Sequence, residues 1–148
     1  MYQRILVPTD GSSLSKKATQ HAIALAAQTG AQLVALKVIP RYPMSYFEGG
    51  LSLEASEIAR IEQEWADAGQ AVVDAVVKAA AAKGVTNCKA VVMKSDVVSD
   101  AVLAAATKHK CDLIVMASHG RSGIKRMLLG SETQHVLTRA NVPVLVLK

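Results

Sequence analysis

The stretch from Asp112 to Gln134, DLIVMASHGRSGIKRMLLGSETQ, constrains the fold more than any other part of the chain. Leu113 to Ala117 is an apolar run with a charge before it and small polar residues after it. Such a short, bounded run predicts a strand buried on both faces of a sheet. Gly120, Gly123 and Gly130 follow, interleaved with Arg121, Lys125 and Arg126, and then Ser131. Ser131 and Gln134 have the spacing of a capping box, so a helix is predicted to start there. In one reading this is a phosphate cradle. Backbone N–H groups and the positive end of the helix dipole face the loop, and the glycines allow close backbone approach. In the other it is an ordinary strand-to-helix connection, with Ser131 merely a cap.

The rest of the chain alternates in the same way. Arg4 to Val7 reads as a strand ending at Pro8, and Thr9, Asp10, Gly11, Ser12 and Ser13 as a turn with several caps. A helix is predicted from Leu14 to Thr29, with Leu14, Ala18, Ala22 and Leu25 on one face and Gly30 as its stop. Gln32 to Ile39 is a second strand, ended by Pro40. Arg41 to Gly50, with Tyr42, Pro43, Tyr46 and Phe47, is either a lid or a surface crossing. A long helix from Leu53 to Lys83 sets Ile58, Ile61, Trp65, Ala68, Val72 and Val76 against an acidic, solvated side, and Gly84 stops it. Cys88 to Met93 is a third strand, and Val97 to His109 a third helix begun by Ser95 or Asp96. After the glycine loop, a short helix runs to Arg139, and Pro143 to Leu147 is a final strand.

This alternation predicts an α/β fold with a parallel sheet covered by helices on both faces, built as a single domain over residues 1–148. Ligands in such folds bind at the carboxyl ends of the strands, where the winding direction reverses. Pro8 to Ser12 and Ser118 to Gly130 would then face each other, with Asp10 opposite the glycine loop. The last strand is short, apolar and at a sheet edge, which predicts a homodimer through Val142–Leu147.

Charge narrows the ligand class. Residues 1–100 hold ten Lys/Arg and ten Asp/Glu, whereas residues 101–148 hold seven against two, so the whole excess of +5 lies with the glycine loop. An anionic ligand is expected there. Nucleic acid is disfavoured, because aromatics are 3% of the chain and none lies in the basic loop. No apolar run approaches the roughly 18 residues that span a bilayer, so no membrane partner is expected. The opening MYQRILVP is too short in apolar residues for a signal peptide, and a cytoplasmic location is expected. Cys88 and Cys111 read as reduced core thiols.

Sharper chemistry finds little support. Asp10, Ser118 and His119 lack the G-x-S-x-G elbow of a hydrolase, and no general base is evident near the loop. GRSGIK is not a Walker A loop. His21, His109 and His135 have no metal-ligand spacing. Ser131 and Thr133 are potential phosphoryl acceptors, but capping and ligand holding suit them better.

Several segments together resemble the single-domain universal stress proteins: the opening ILVPTDGS, the HGRSG loop, LLGS and the closing NVPVLVLK. The resemblance covers essentially the whole chain. Nucleotide-binding members share the pattern Gly, two residues, Gly, nine residues, Gly, then Ser or Thr. Gly120, Gly130 and Ser131 match its later parts in register, while Ala117 replaces the first glycine. The resemblance implies a five-stranded parallel sheet of Rossmann-like, adenine nucleotide alpha-hydrolase-like type, dimerisation through the last strand, and ATP with Mg²⁺ in the crevice. Pro8, Thr9 and Asp10 would border the nucleoside, and Val38 would offer backbone groups to adenine. Met116 and Ala117 would sit beside adenine and ribose, and Gly120 would approach the ribose-phosphate region. Gly130, Ser131, Glu132 and Thr133 would hold the phosphates, with Arg121 an extra contact on charge alone. The implied role is a nucleotide-dependent stress-response module, with at most slow hydrolysis or autophosphorylation; the competing role is a dimeric interaction protein with a vestigial pocket. Two departures bear on this: Ala117 itself, and SDVV at residues 95–98, where many relatives have Gly and Pro.

Overall fold

The computed structural model describes residues 1–43, 54–120 and 129–148. Their elements alternate in chain order: β1 (Arg4–Pro8), α1 (Ser13–Thr29), β2 (Gln32–Ile39), α2 (Ala55–Ala82), β3 (Cys88–Lys94), α3 (Val98–Lys108), β4 (Leu113–Ala117), α4 (Ser131–Arg139) and β5 (Val144–Leu147). The five strands form one parallel sheet in the order β3-β2-β1-β4-β5. The predicted five-stranded, Rossmann-like α/β fold is the fold observed.

Two apolar layers sandwich the sheet. On one face Ile5, Val7, Leu33 and Val115 pack with Ala18, Ala22 and Ile23 of α1 and Val73, Val76 and Ala80 of α2. On the other, Leu6, Leu36, Ile114 and Met116 pack with Val102 and Ala105 of α3 and Val136 of α4. Every residue of β4 is buried, which is why its sequence is apolar without alternation. The winding reverses between β1 and β4, and the chain leaves their carboxyl ends toward opposite faces.

Local signals set most boundaries. The Ser12 hydroxyl accepts a hydrogen bond from the Ser15 N–H at the start of α1, and Gly30 ends that helix at φ +72°, a conformation glycine adopts without strain. Within α1 the buried face includes Ile23 and Ala26, while the expected Leu14 and Leu25 sit at its margin.

Two local expectations are corrected. The core side of α2 is not the stripe of its largest apolar residues. Gly69, Val73, Val76 and Ala80 are buried, Ala68 is exposed, and Ile58, Ile61 and Trp65 are only partly covered. The helix meets the sheet at Gly69, where an added methyl would lie 2.9 Å from Ile39 Cγ2. Closest approach selected the smallest side chain, and the large ones flank it. Trp65 stacks on Tyr42, with ring centroids 6.1 Å apart. At α4 the capping residue is Gly130 rather than Ser131, and no side chain caps the helix. The Gly130 N–H donates to Ser118 O at 2.8 Å and its carbonyl accepts from the Gln134 N–H at 2.9 Å, so backbone bonds draw the helix entry one residue earlier.

Burial pushes both cysteine thiols up to about 11, the state of inert core residues. Among the described residues no helix is long and apolar enough to cross a membrane.

Candidate functional site

The carboxyl ends of β1 and β4 carry a tightly bonded turn and an open helix start. After β1, the Thr9 N–H donates to Leu36 O at 2.8 Å, which fixes the turn to β2. The buried Thr9 hydroxyl donates to Ser15 Oγ at 3.1 Å, and the Ser15 hydroxyl donates to Ser12 O at 3.0 Å. The Ser12 N–H donates to Asp10 Oδ1 at 2.9 Å, with Gly11 at φ +80° in between. These bonds hold the Asp10 carboxylate at the crevice with its second oxygen directed across it.

That oxygen reaches the loop after β4. A Cβ placed on Gly120 would lie 2.7 Å from Asp10 Oδ2, so any larger residue there would force the Asp10 carboxylate to shift. The predicted juxtaposition of Asp10 with the glycine loop is thus present at Gly120. A Cβ on Gly130 would meet Ser118 O at 3.2 Å and the His119 backbone at 3.3 Å. The Ser118 N–H donates to Leu147 O at 2.7 Å, tying this corner to the end of β5. Ser118 Oγ and His119 Nδ1 lie 3.1 Å apart.

The N–H groups of Ser131, Glu132 and Thr133 form the open first turn of α4, ahead of its first intrahelical bond at Gln134. Ser131 is exposed. The other two side chains are engaged within the protein. The buried Thr133 hydroxyl donates to Ala117 O at 2.9 Å, and Glu132 Oε2 accepts from the Ser99 N–H at 2.6 Å. Neither contact is legible in the sequence, since the partners lie 16 and 33 residues away.

The remaining site candidates divide between the two faces. Val38 and Met116 pack on the α3 and α4 side of the sheet. Ala117, 8% exposed, packs on the opposite side with the α1 core, so its methyl occupies protein interior. Its φ is not positive, and alanine fits there without backbone strain. Pro8 is partly buried at the end of β1. Arg121 lies outside the described residues, as does the segment 44–53 that contains most of the proposed lid or crossing.

An anion fits this arrangement: two glycines line it, and a helix start with unused N–H groups closes it. Among the described residues there is no cluster of three or more His, Cys, Asp or Glu that could hold a metal ion. A separate cavity of about 200 Å³ lies at the opposite, amino-terminal end of β4 and β5, lined by Leu103, Cys111, Ile114, Arg139 and Val142. It is smaller than typical small-molecule sites.

The family model described as the Universal stress protein family matches residues 1–148. Universal stress protein MJ0531 of Methanocaldococcus jannaschii is 36% identical over 149 residues, covering 100% of this chain and 83% of the relative. The solved structure of hypothetical protein MJ0577, from the same organism, has a TM-score of 0.83 at 26% identity and covers 100% of this chain and 96% of that one. A universal stress protein solved in complex with cAMP has a TM-score of 0.72 at 28% identity, covering 99% and 97%.

Proposed function

The chain belongs to the universal stress protein family, and we propose that it binds ATP, with Mg²⁺ on the phosphates, in the crevice between β1 and β4. Pro8, Thr9 and Asp10 border the nucleoside, Val38 and Met116 lie toward adenine, and Gly120 with the first turn of α4 receives the phosphates. The protein then acts as a nucleotide-dependent stress-response module in the cytoplasm, and as a homodimer through the edge strand at Val142–Leu147. Turnover, if any, is slow hydrolysis or phosphoryl transfer to its own Ser131 hydroxyl.

One observation carries this reading. Glycines stand at the two points where a Cβ would crowd the Asp10 carboxylate or Ser118 O, and the second of them leads into the unbonded N–H groups of α4. The cAMP complex of a relative at 28% identity supports an adenine nucleotide as the ligand. In the sequence, Arg121, Lys125 and Arg126 of the glycine loop favour the triphosphate over smaller anions, whereas Lys108, Lys110 and Arg139 lie at the opposite end of β4 and do not bear on it.

A second reading, a dimeric interaction protein with a vestigial pocket, draws on the Gly130 N–H, which already donates to Ser118 O. Calorimetry of nucleotide-stripped protein with Mg²⁺-ATP separates the two, with AMP and cAMP as comparison ligands and Gly130→Asp as the control. Micromolar ATP binding that the variant loses supports the ATP module. No heat and no ATP-dependent rise in melting temperature overturns it in favour of the scaffold.

A further inference from the structure

We infer that the Glu132 side chain is a positioning group that docks the phosphate-binding helix start of α4 onto the start of α3. The inference rests on the ATP reading above and separates two roles at one residue: a backbone N–H that faces the phosphates and a carboxylate that faces away from them.

The argument begins at α3. A helix start leaves its first N–H groups without intrahelical partners. Here the capping position is Val97, whose side chain cannot accept a hydrogen bond. Ser95 does not fill the gap; its hydroxyl is used locally, accepting from the Val97 N–H at 3.2 Å and donating to Val97 O at 3.0 Å. The first intrahelical bond of α3 runs from the Ala101 N–H to Val97 O. Ser99, inside that first turn, is fully buried, so water cannot satisfy its N–H. Glu132 Oε2 does so at 2.6 Å, a short charge-assisted bond. The SDVV segment thus has its missing cap supplied from another helix.

The same bond constrains α4. Glu132 is the second residue of that helix, next to Ser131, and Thr133 is tied to Ala117 O. The first turn is therefore held on two sides: Thr133 fixes it to β4, and Glu132 fixes it to α3. The N–H groups of Ser131, Glu132 and Thr133 point where those two anchors aim them. A carboxylate placed there to contact phosphate would repel it. Turned onto the Ser99 N–H, its charge is offset by the helix dipole of α3.

Two variants separate geometry from charge. Glu132→Gln keeps an oxygen able to accept from Ser99 and removes the negative charge; Glu132→Ala removes both. Each is titrated with Mg²⁺-ATP and with adenosine, and exchange of the Ser99 amide is followed by NMR in the ligand-free protein. Loss of the clamp is expected to speed Ser99 exchange in Glu132→Ala and to weaken ATP by about five- to tenfold, the size of a lost helix cap. Adenosine should change by less than about twofold, since it lacks the phosphates that α4 holds. Glu132→Gln should keep Ser99 protected and bind ATP at least as tightly as the parent. Unchanged Ser99 exchange in Glu132→Ala, or ATP binding as tight in Glu132→Ala as in Glu132→Gln, overturns the inference. If the parent protein binds neither ligand, the ATP reading falls and the Ser99 amide alone decides whether the clamp exists.

Discussion

Gly69→Ala sets two effects of known sign against each other on α2. In an exposed helix interior, replacing glycine by alanine stabilises by about 1 kcal/mol. Here the new methyl would lie 2.9 Å from Ile39 Cγ2, 3.3 Å from Lys37 Cγ and 3.5 Å from Val92 Cγ1. Ile39 is 4% exposed and held in β2, so it is not a flexible tip that can swing aside. To restore ordinary contact the helix must back away by about half an ångström, and overpacking of this kind costs about 1–3 kcal/mol. The net expectation is a destabilisation of about 1 kcal/mol, despite the better helix former. A double-mutant cycle with Ile39→Ala isolates the cause. Ile39→Ala alone should cost about 2–5 kcal/mol. In that background the closest obstacle, Ile39 Cγ2, is gone and only the looser contacts to Lys37 and Val92 remain, so Gly69→Ala should become stabilising by up to about 1 kcal/mol, a coupling of about 1–2 kcal/mol between the two sites. Urea unfolding of the four proteins measures it. Stabilisation by Gly69→Ala in the parent, or the same effect in both backgrounds, would refute the claim that closest approach dictates glycine here.

Two further outcomes follow from the same geometry. Ala117→Gly restores the glycine of the family's nucleotide-binding pattern, but its methyl packs in the α1-side core; thermal unfolding should show a loss of about 1–1.5 kcal/mol while Mg²⁺-ATP affinity stays within about twofold. Asp112 accepts from the Gln3 N–H at 2.8 Å and the Arg4 N–H at 3.0 Å. Partial burial raises its carboxyl pKa, but these donors outweigh that and hold it below the usual carboxylate value. A depressed folded pKa gives stability that is present above the unfolded value of about 3.9 and is lost as pH falls through the folded one. Asp112→Asn should therefore flatten the acid limb of the stability curve below about pH 4 and leave its shape near neutrality unchanged, as read by urea midpoints across the range.

The architecture was legible because its signals are local. Gly30 and Gly84 stop helices at φ +72° and +83°, conformations that their own residue type permits. The short, unbroken apolar run of β4, bounded by charge and small polar residues, read as a strand covered on both faces, and every one of its residues is buried. Where the prediction slipped, the deciding contact came from elsewhere in the chain. The core stripe of α2 was misplaced because side-chain size says nothing of how near the sheet will come, and Ile39, thirty residues before Gly69, sets that distance. The cap of α4 was read as Ser131 because spacing reveals a capping box but not the bond from the Gly130 N–H to Ser118 O that moves the helix entry.

The candidate site shows the same limit in a form that matters for function. Composition and glycine spacing point to a candidate crevice, and Asp10 does face Gly120 across it. They do not tell which of its polar groups are available to a ligand. The Gly130 N–H, the Thr133 hydroxyl and the Glu132 carboxylate all belong to the motif, yet each is bonded within the protein. Among the described residues of the motif, the groups left unbonded are the N–H groups of the first turn of α4, with the Ser131 hydroxyl exposed beside them. A motif match therefore overstates how many polar groups are left unbonded here. The side chains of Glu132 and Thr133 tie the first turn of α4 to α3 and β4, and in the ATP reading proposed above phosphate would be met by the backbone of that turn.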